Sequence, residues 1–115
     1  MHGSWYTLSD IKSEEDQISA KAYAPADSLW FSGHFPGEPI LPGIAQLSMA
    51  FDLVKNYNKN SENLKIISYK KIRFKMLVKP EEMLYINVKL IGKNTYSFKI
   101  TSGENITCSG TMTVK

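Results

Sequence analysis

The chain has 115 residues, 43% hydrophobic and 22% charged. That is ordinary globular composition rather than that of a disordered segment, and residues 1–115 are expected to form one domain. Fourteen Lys+Arg against 11 Asp+Glu leave +3, too little to argue for nucleic-acid or membrane-surface binding from charge alone. A single cysteine, Cys108, excludes an internal disulfide framework and a CxxC metal site. Of the two histidines, His2 and His34, the first lies at the terminus, so imidazole chemistry must run through His34.

No stretch approaches the ~18 consecutive apolar residues of a membrane span. The start, MHGSWYTLSD, has neither the basic opening nor the apolar core of a signal peptide. A soluble cytoplasmic protein is expected, with no internal repeat.

Trp5 to Ala24 reads as two short strands. Ile18, Ala20 and Ala22 alternate with Ser19, Lys21 and Tyr23, the period of a half-buried strand. The polar turn Ser13-Glu14-Glu15-Asp16 separates the two. Pro25 to Pro42 holds four of the five prolines together with Trp30, Phe31, Gly33, Phe35 and Gly37. Proline fixes φ and glycine frees it, so this is a shaped loop, and its aromatic residues call for an apolar surface to pack on.

A helix is predicted from Gly43, directly after Pro42, to about Asn58. Ile44, Leu47, Phe51 and Val54 recur at helical spacing, and Ala45, Met49, Ala50 and Leu53 widen the apolar surface, so the helix is expected to be buried nearly all round. About four antiparallel strands follow from Leu64 to Lys115. Their expected buried faces are Ile66, Ile72, Phe74, Met76 and Val78; Leu84, Ile86, Val88 and Leu90; Tyr96, Phe98 and Ile100; and Ile106, Cys108, Met112 and Val114. Turns are expected at 80–82, 92–94 and 102–105. The order predicts an α+β fold: a curved antiparallel sheet wrapped around one central helix, with a free edge strand available for dimerisation. Cys108 reads as a core thiol.

The loop and helix start read Gly33-His34-Phe35-Pro36-Gly37-Glu38-Pro39-Ile40-Leu41-Pro42-Gly43-Ile44-Ala45-Gln46-Leu47. This closely resembles the active-site signature GHFPGxPxxPG of the β-hydroxyacyl-acyl carrier protein dehydratases, hot-dog-fold enzymes of fatty acid and polyketide synthesis. Every fixed position of that string is present. The run from Gly43 to Leu47 also looks like the dehydratases associated with aryl polyene pigments, and Lys71 to Pro80 like the family's strand and turn after the helix.

The resemblance implies syn removal of water from a 3-hydroxyacyl thioester carried by acyl carrier protein. His34 is then the acid/base, suited by an imidazole pKa of about 6.5. Backbone N–H groups at Gly43, reinforced by the helix dipole, are the carbonyl donors. Phe31, Gly33, Phe35 and Pro42 are candidate substrate contacts, although Phe31 and Phe35 suit core packing better. No metal and no cofactor are implied. Read outside the string, His34 is a loop histidine satisfied by backbone groups, and Gly33, Gly37 and Gly43 are turn and cap residues.

One position departs from the pattern. The family carries an Asp or Glu on the central helix fourteen residues after the histidine, and here that residue is Ser48. Three routes stay open. Asp52, one turn further on the same helix face, supplies the carboxylate; Ser48 holds a water while His34 makes both proton transfers; or a partner hot-dog chain brings the acid and completes one site per heterodimer with His34 from this chain. Ser48 also motivates a different reading, a non-catalytic thioester-binding subunit or the inactive half of a heterodimer. Thioesterase chemistry is a weaker alternative. Glu38 reads as a surface residue. From Lys65 to Lys79 there are six basic residues and no acidic one, either a solvated strand face or a docking strip for an acidic acyl carrier protein. No nucleic-acid or membrane partner is expected.

Overall fold

The computed structural model describes residues 5–31, 40–58 and 63–115. Two strands, β1 (Thr7–Ser13) and β2 (Gln17–Tyr23), come first, then a 3₁₀ turn at Leu29–Phe31. The helix α1 spans Gly43–Tyr57, and β3 (Ile66–Phe74), β4 (Met83–Gly92), β5 (Thr95–Ser102) and β6 (Asn105–Val114) complete the chain. All six strands join one antiparallel sheet in the order β1-β2-β4-β5-β6-β3. The helix lies across β2, β4 and β5. This is the hot-dog arrangement, with β1 and β3 as the two edges.

The alternation that predicted the inner strands is met. Ile18, Ala20 and Ala22 of β2, Leu84, Ile86 and Val88 of β4, and Tyr96, Phe98 and Ile100 of β5 are all buried. They close over Ala45, Met49, Ala50, Leu53 and Val54 of α1. Truncating a fully buried side chain such as Leu53 in such a core costs about 2–5 kcal/mol. Cys108 is fully buried, and that burial pushes its thiol up to about 11.

Three expectations need correction. First, α1 is not buried nearly all round. Ile44 is 73% exposed, Ser48 is exposed, and Leu47 and Phe51 are half-buried, because within this chain only the sheet side of the helix meets a partner surface.

Second, β3 does not carry its apolar face on a simple alternation. Bulges between Ile66 and Ser68 and between Lys70 and Arg73, the latter with Lys71 at φ 57, break the phase. Tyr69 pairs with buried Met112, Phe74 pairs with Cys108, and Ile72 lies over Gly110. The inward set is therefore Ile66, Tyr69, Ile72 and Phe74, and desolvation raises the Tyr69 phenol. The strand ends at Phe74, which is 52% exposed, as is Met76 at 44%; of the expected set only Val78 is fully buried.

Third, Ile106 pairs with outward-facing Thr101 and is only half-buried, because a bulge before Cys108 turns Thr107 inward instead. Close approach explains Gly110: a Cβ there would stand 2.4 Å from Ile72 Cδ1 and 3.2 Å from Phe98 Cζ.

Candidate active site

The approach to the motif is built on aromatic rings. Backbone bonds from Ser28 N–H to Pro25 and from Phe31 N–H to Ser28 wind the 3₁₀ turn. Trp30 stacks on Tyr6 with centroids 5.1 Å apart and meets Trp5 at 5.5 Å. Phe31 is buried in the core. Tyr6, only 1% exposed, donates its hydroxyl to the Asp52 carboxylate on α1. Burial, then that hydrogen bond and the Asp52 charge, hold the Tyr6 phenol far above its ordinary range. Gly33, His34, Phe35, Gly37 and Glu38 lie outside the described residues, as does His2.

The chain returns at Ile40. Leu41 is buried, and its N–H donates to Val78 O at 2.7 Å, tying the segment to the loop beyond β3. Pro42 then sits at the N-cap in extended geometry (φ −61, ψ 148), with no side-chain cap. Its fixed φ leads directly into a helix whose first two amides, those of Gly43 and Ile44, have no intrahelical acceptor, while the Ala45 N–H donates to Pro42 O at 3.0 Å. The first turn contains no acidic residue, so no carboxylate of the turn itself offsets the positive end of the dipole. These are suitable donors for an oxygen on which negative charge develops.

Gly43 has a further reason to be glycine. A Cβ there would stand 2.9 Å from both Cε1 and Cζ of Phe74, so the aromatic ring lies close against the backbone at the helix start. Three residues on, Gln46 turns into the core at 2% exposure and accepts a hydrogen bond from Thr107 Oγ1 at 2.8 Å. Thr107 is itself fully buried, and its hydroxyl also lies 3.2 Å from Ile100 O.

Ser48 is exposed on α1, on the face shared with Ile44. Asp52 is half-buried on the same side, but its carboxylate is turned to Tyr6. Helical rise sets Ser48 about 7.5 Å, and Asp52 about 13.5 Å, along the axis from Gly43. Among the described residues no group of three or more His, Cys, Asp or Glu could hold a metal ion, and no helix is long and apolar enough to cross a membrane.

The basic strip is solvated throughout: Lys65, Lys70, Lys71, Arg73, Lys75 and Lys79 are all exposed. A groove of about 390 Å³ opens elsewhere, on the outer face of the sheet, around Lys21, Tyr85 and Lys99. There Lys21 pairs with Asp10 at 3.0 Å. The groove shares no residue with the motif and faces away from α1.

Sequence reasoning missed Tyr6, Thr107 and the seat of Phe74 on Gly43. The Tyr6–Asp52 and Thr107–Gln46 bonds join residues 46 and 61 positions apart, beyond the reach of any local pattern.

Comparison with known proteins follows the same line. The ApeI-like family (ApeI dehydratase) matches residues 10–111. The 3-hydroxyacyl-acyl-carrier-protein dehydratase FabZ of Syntrophobacter fumaroxidans is 30% identical over 81 residues, 64% of this chain and 54% of that protein; the chain matches about half of that relative's length. FabZ of Streptococcus sanguinis is 28% identical over 116 residues, covering 90% of this chain and 80% of the relative. A chain of the dehydratase heterocomplex ApeI:P from Xenorhabdus doucetiae superposes with a TM-score of 0.82 at 18% identity, over 94% of this chain and 96% of that one; at that identity the likeness speaks for the fold alone. With the family match running from β1 into β6 and the dehydratase string intact at the entrance to α1, the chain belongs to the ApeI-like family of hot-dog dehydratases.

Proposed function

We propose that this protein dehydrates 3-hydroxyacyl thioesters carried on the phosphopantetheine arm of acyl carrier protein, as one hot-dog domain over residues 1–115 acting in the cytoplasm. The observation that carries the reading is the complete Gly33–Gly43 string leading into an N-terminus of α1 that has no acid in its first turn. The thioester carbonyl oxygen accepts from the backbone N–H at Gly43, which stabilises the enolate charge. His34 takes the proton from C2, and the C–H electron pair passes into the enolate, whose charge rests on the thioester oxygen. The C2=C3 bond then forms as the C3–O bond breaks, and the imidazolium of His34 returns its proton to the departing hydroxyl, releasing water. Ser48 marks the place of the missing helix acid and holds the leaving group or a water by its hydroxyl. Phe31, Gly33, Phe35 and Pro42 shape the walls.

The test is incubation with a 3-hydroxyacyl carrier protein while following the enoyl product. Wild type turns over, and His34→Ala loses about 10²–10⁴-fold. Absence of turnover in the wild type, alone and with Ser48→Asp or Ser48→Glu, overturns the proposal. The exposed basic strip of β3 supports carrier docking, which predicts a KM that rises with salt.

A second reading is favoured by two observations together: Ser48 in place of the acid, and an open edge at β3, with Ile67 and Phe74 of that strand 58% and 52% exposed. Pairing of that edge with another hot-dog chain removes it from solvent. If the other chain carries the helix carboxylate, this one is the non-catalytic half. Activity that appears only on mixing with such a chain, and that survives His34→Ala in this one, selects the second reading. A homodimer that turns over alone excludes it.

A further inference from the structure

The bulge in β6 leaves Thr107 outside the residue pairing with β5: Ile100 pairs with Cys108 and Thr101 with Ile106. Bulges re-aim side chains and recur beside active sites. This one sends a fully buried threonine under the first turns of α1. Its hydroxyl donates to Gln46, which stands one turn in from Gly43. Its carbonyl accepts the N–H of Lys75 at 2.9 Å and that of Met76 at 3.5 Å. Lys75 follows Phe74, whose ring is seated on Gly43. Two elements that define the space at the helix start therefore converge on one residue: α1 through Gln46, and the end of β3 through Lys75 and Phe74.

We propose that Thr107 is a positioning residue of the site: through Gln46 and through the backbone beside Phe74, it fixes where the opening amides of α1 point. This rests on the reading that those amides bind the thioester carbonyl. A hydroxyl buried at this point serves orientation. Reaction geometry is sensitive to displacements of about 1 Å, which cost up to ~100-fold in rate, whereas substrate binding along the rest of the acyl chain is less affected.

Three variants test it: Thr107→Val keeps the shape and removes the hydroxyl, Thr107→Ser keeps the hydroxyl and removes the methyl, and Gln46→Met removes the acceptor. Each is measured for kcat and KM with a 3-hydroxyacyl carrier protein at a temperature where melting curves show it fully folded, and for the ¹⁵N-¹H shift of the Gly43 amide. The expected result is a kcat lower by roughly 10-fold or more in Thr107→Val and Gln46→Met with KM within about two-fold. Thr107→Ser recovers most of the rate, and the Gly43 amide moves in the first two variants only. A Thr107→Val protein that loses melting temperature but keeps kcat and the Gly43 shift shows a merely structural threonine and overturns the inference alone. A wild type that binds and turns over no thioester overturns the dehydratase reading and this inference with it.

Discussion

Asp52 is the one carboxylate on α1, and its place one turn beyond Ser48 makes it the obvious substitute for the missing acid. The geometry argues otherwise, and a double-mutant cycle on Tyr6 and Asp52 separates the two roles. A substrate whose carbonyl oxygen sits at Gly43 has its hydroxyl-bearing C3 only two C–C bonds, about 1.5 Å each, from the carbonyl carbon. Asp52 lies about 13.5 Å along the helix from Gly43. Even a side chain leaning toward the N-terminus cannot close that gap, whereas one at position 48, about 7.5 Å away, can. Asp52 instead anchors the N-terminal segment: it accepts the hydroxyl of a tyrosine that is 1% exposed and stacked on Trp30.

The magnitudes follow from which partner is left behind. Asp52→Ala removes the carboxylate that accepts the buried Tyr6 hydroxyl, at about 1–3 kcal/mol. Tyr6→Phe removes a donor to a half-exposed carboxylate, and costs less, about 0.5–1.5 kcal/mol. Removing both costs less than the sum, with a coupling of about 1.5–3 kcal/mol for a hydrogen bond to a charged group. At about 2.1 cal/mol/K of unfolding entropy per residue, each kcal/mol moves the melting temperature of a domain this size by about 4 °C. Asp52→Ala should therefore melt roughly 4–12 °C below wild type, measured by circular dichroism, while kcat at a temperature where it is folded stays within about three-fold. A fall of 100-fold or more in kcat with an unchanged melting temperature refutes this reasoning and makes Asp52 the site's carboxylate.

Three further outcomes are expected. Gly43→Ala drives a methyl into the Phe74 ring, but that ring is 52% exposed and can swing, so stability falls by no more than about 1 kcal/mol; in a Phe74→Ala background the same change becomes neutral or stabilising, and a like penalty in both backgrounds refutes the contact. Gly110→Ala meets not only the mobile end of Ile72 but its Cα at 3.2 Å, so it destabilises by about 1–3 kcal/mol in urea melts, and Ile72→Val relieves only part of the loss. Alkali should weaken the fold. The folded Cys108 thiol, pushed up to about 11, keeps its proton where an unfolded thiol, near 9, has lost it. The native state then binds more protons than the unfolded one, so stability falls between about pH 9 and 11. Tyr6, raised as well, adds to the loss above pH 10. Cys108→Ala should flatten the first part of that decline and Tyr6→Phe the second, and equal slopes in all three proteins sink the assignment.

Much of this fold is written in periodicity. Ile18-Ala20-Ala22 and Leu84-Ile86-Val88 announce strands with one buried face, and the helix begins at Gly43 because Pro42 fixes its entry. The string from Gly33 to Gly43 likewise carries the resemblance to the dehydratases, and the family match over residues 10–111 agrees with it. What periodicity does not carry is a break in its own phase. In β3 the sequence alternates cleanly from Lys71 to Lys75, yet the backbone bulges between Lys70 and Arg73, so Tyr69 joins Ile72 and Phe74 on the inward face. In β6 one extra residue swaps Ile106 out and Thr107 in.

Both irregularities converge on the start of α1. The phase set in β3 brings Phe74 to Gly43, and the bulge in β6 brings Thr107 to Gln46. A regular sheet would put neither group there. Under strict alternation from Cys108, position 107 would face outward and Ile106 would lie beneath the helix, leaving Gln46 to bury its amide without the hydroxyl that now bonds it, at a cost of about 1–3 kcal/mol. Two of the places where the alternation rule fails are thus places where the sheet supports the helix terminus on which the proposed chemistry depends.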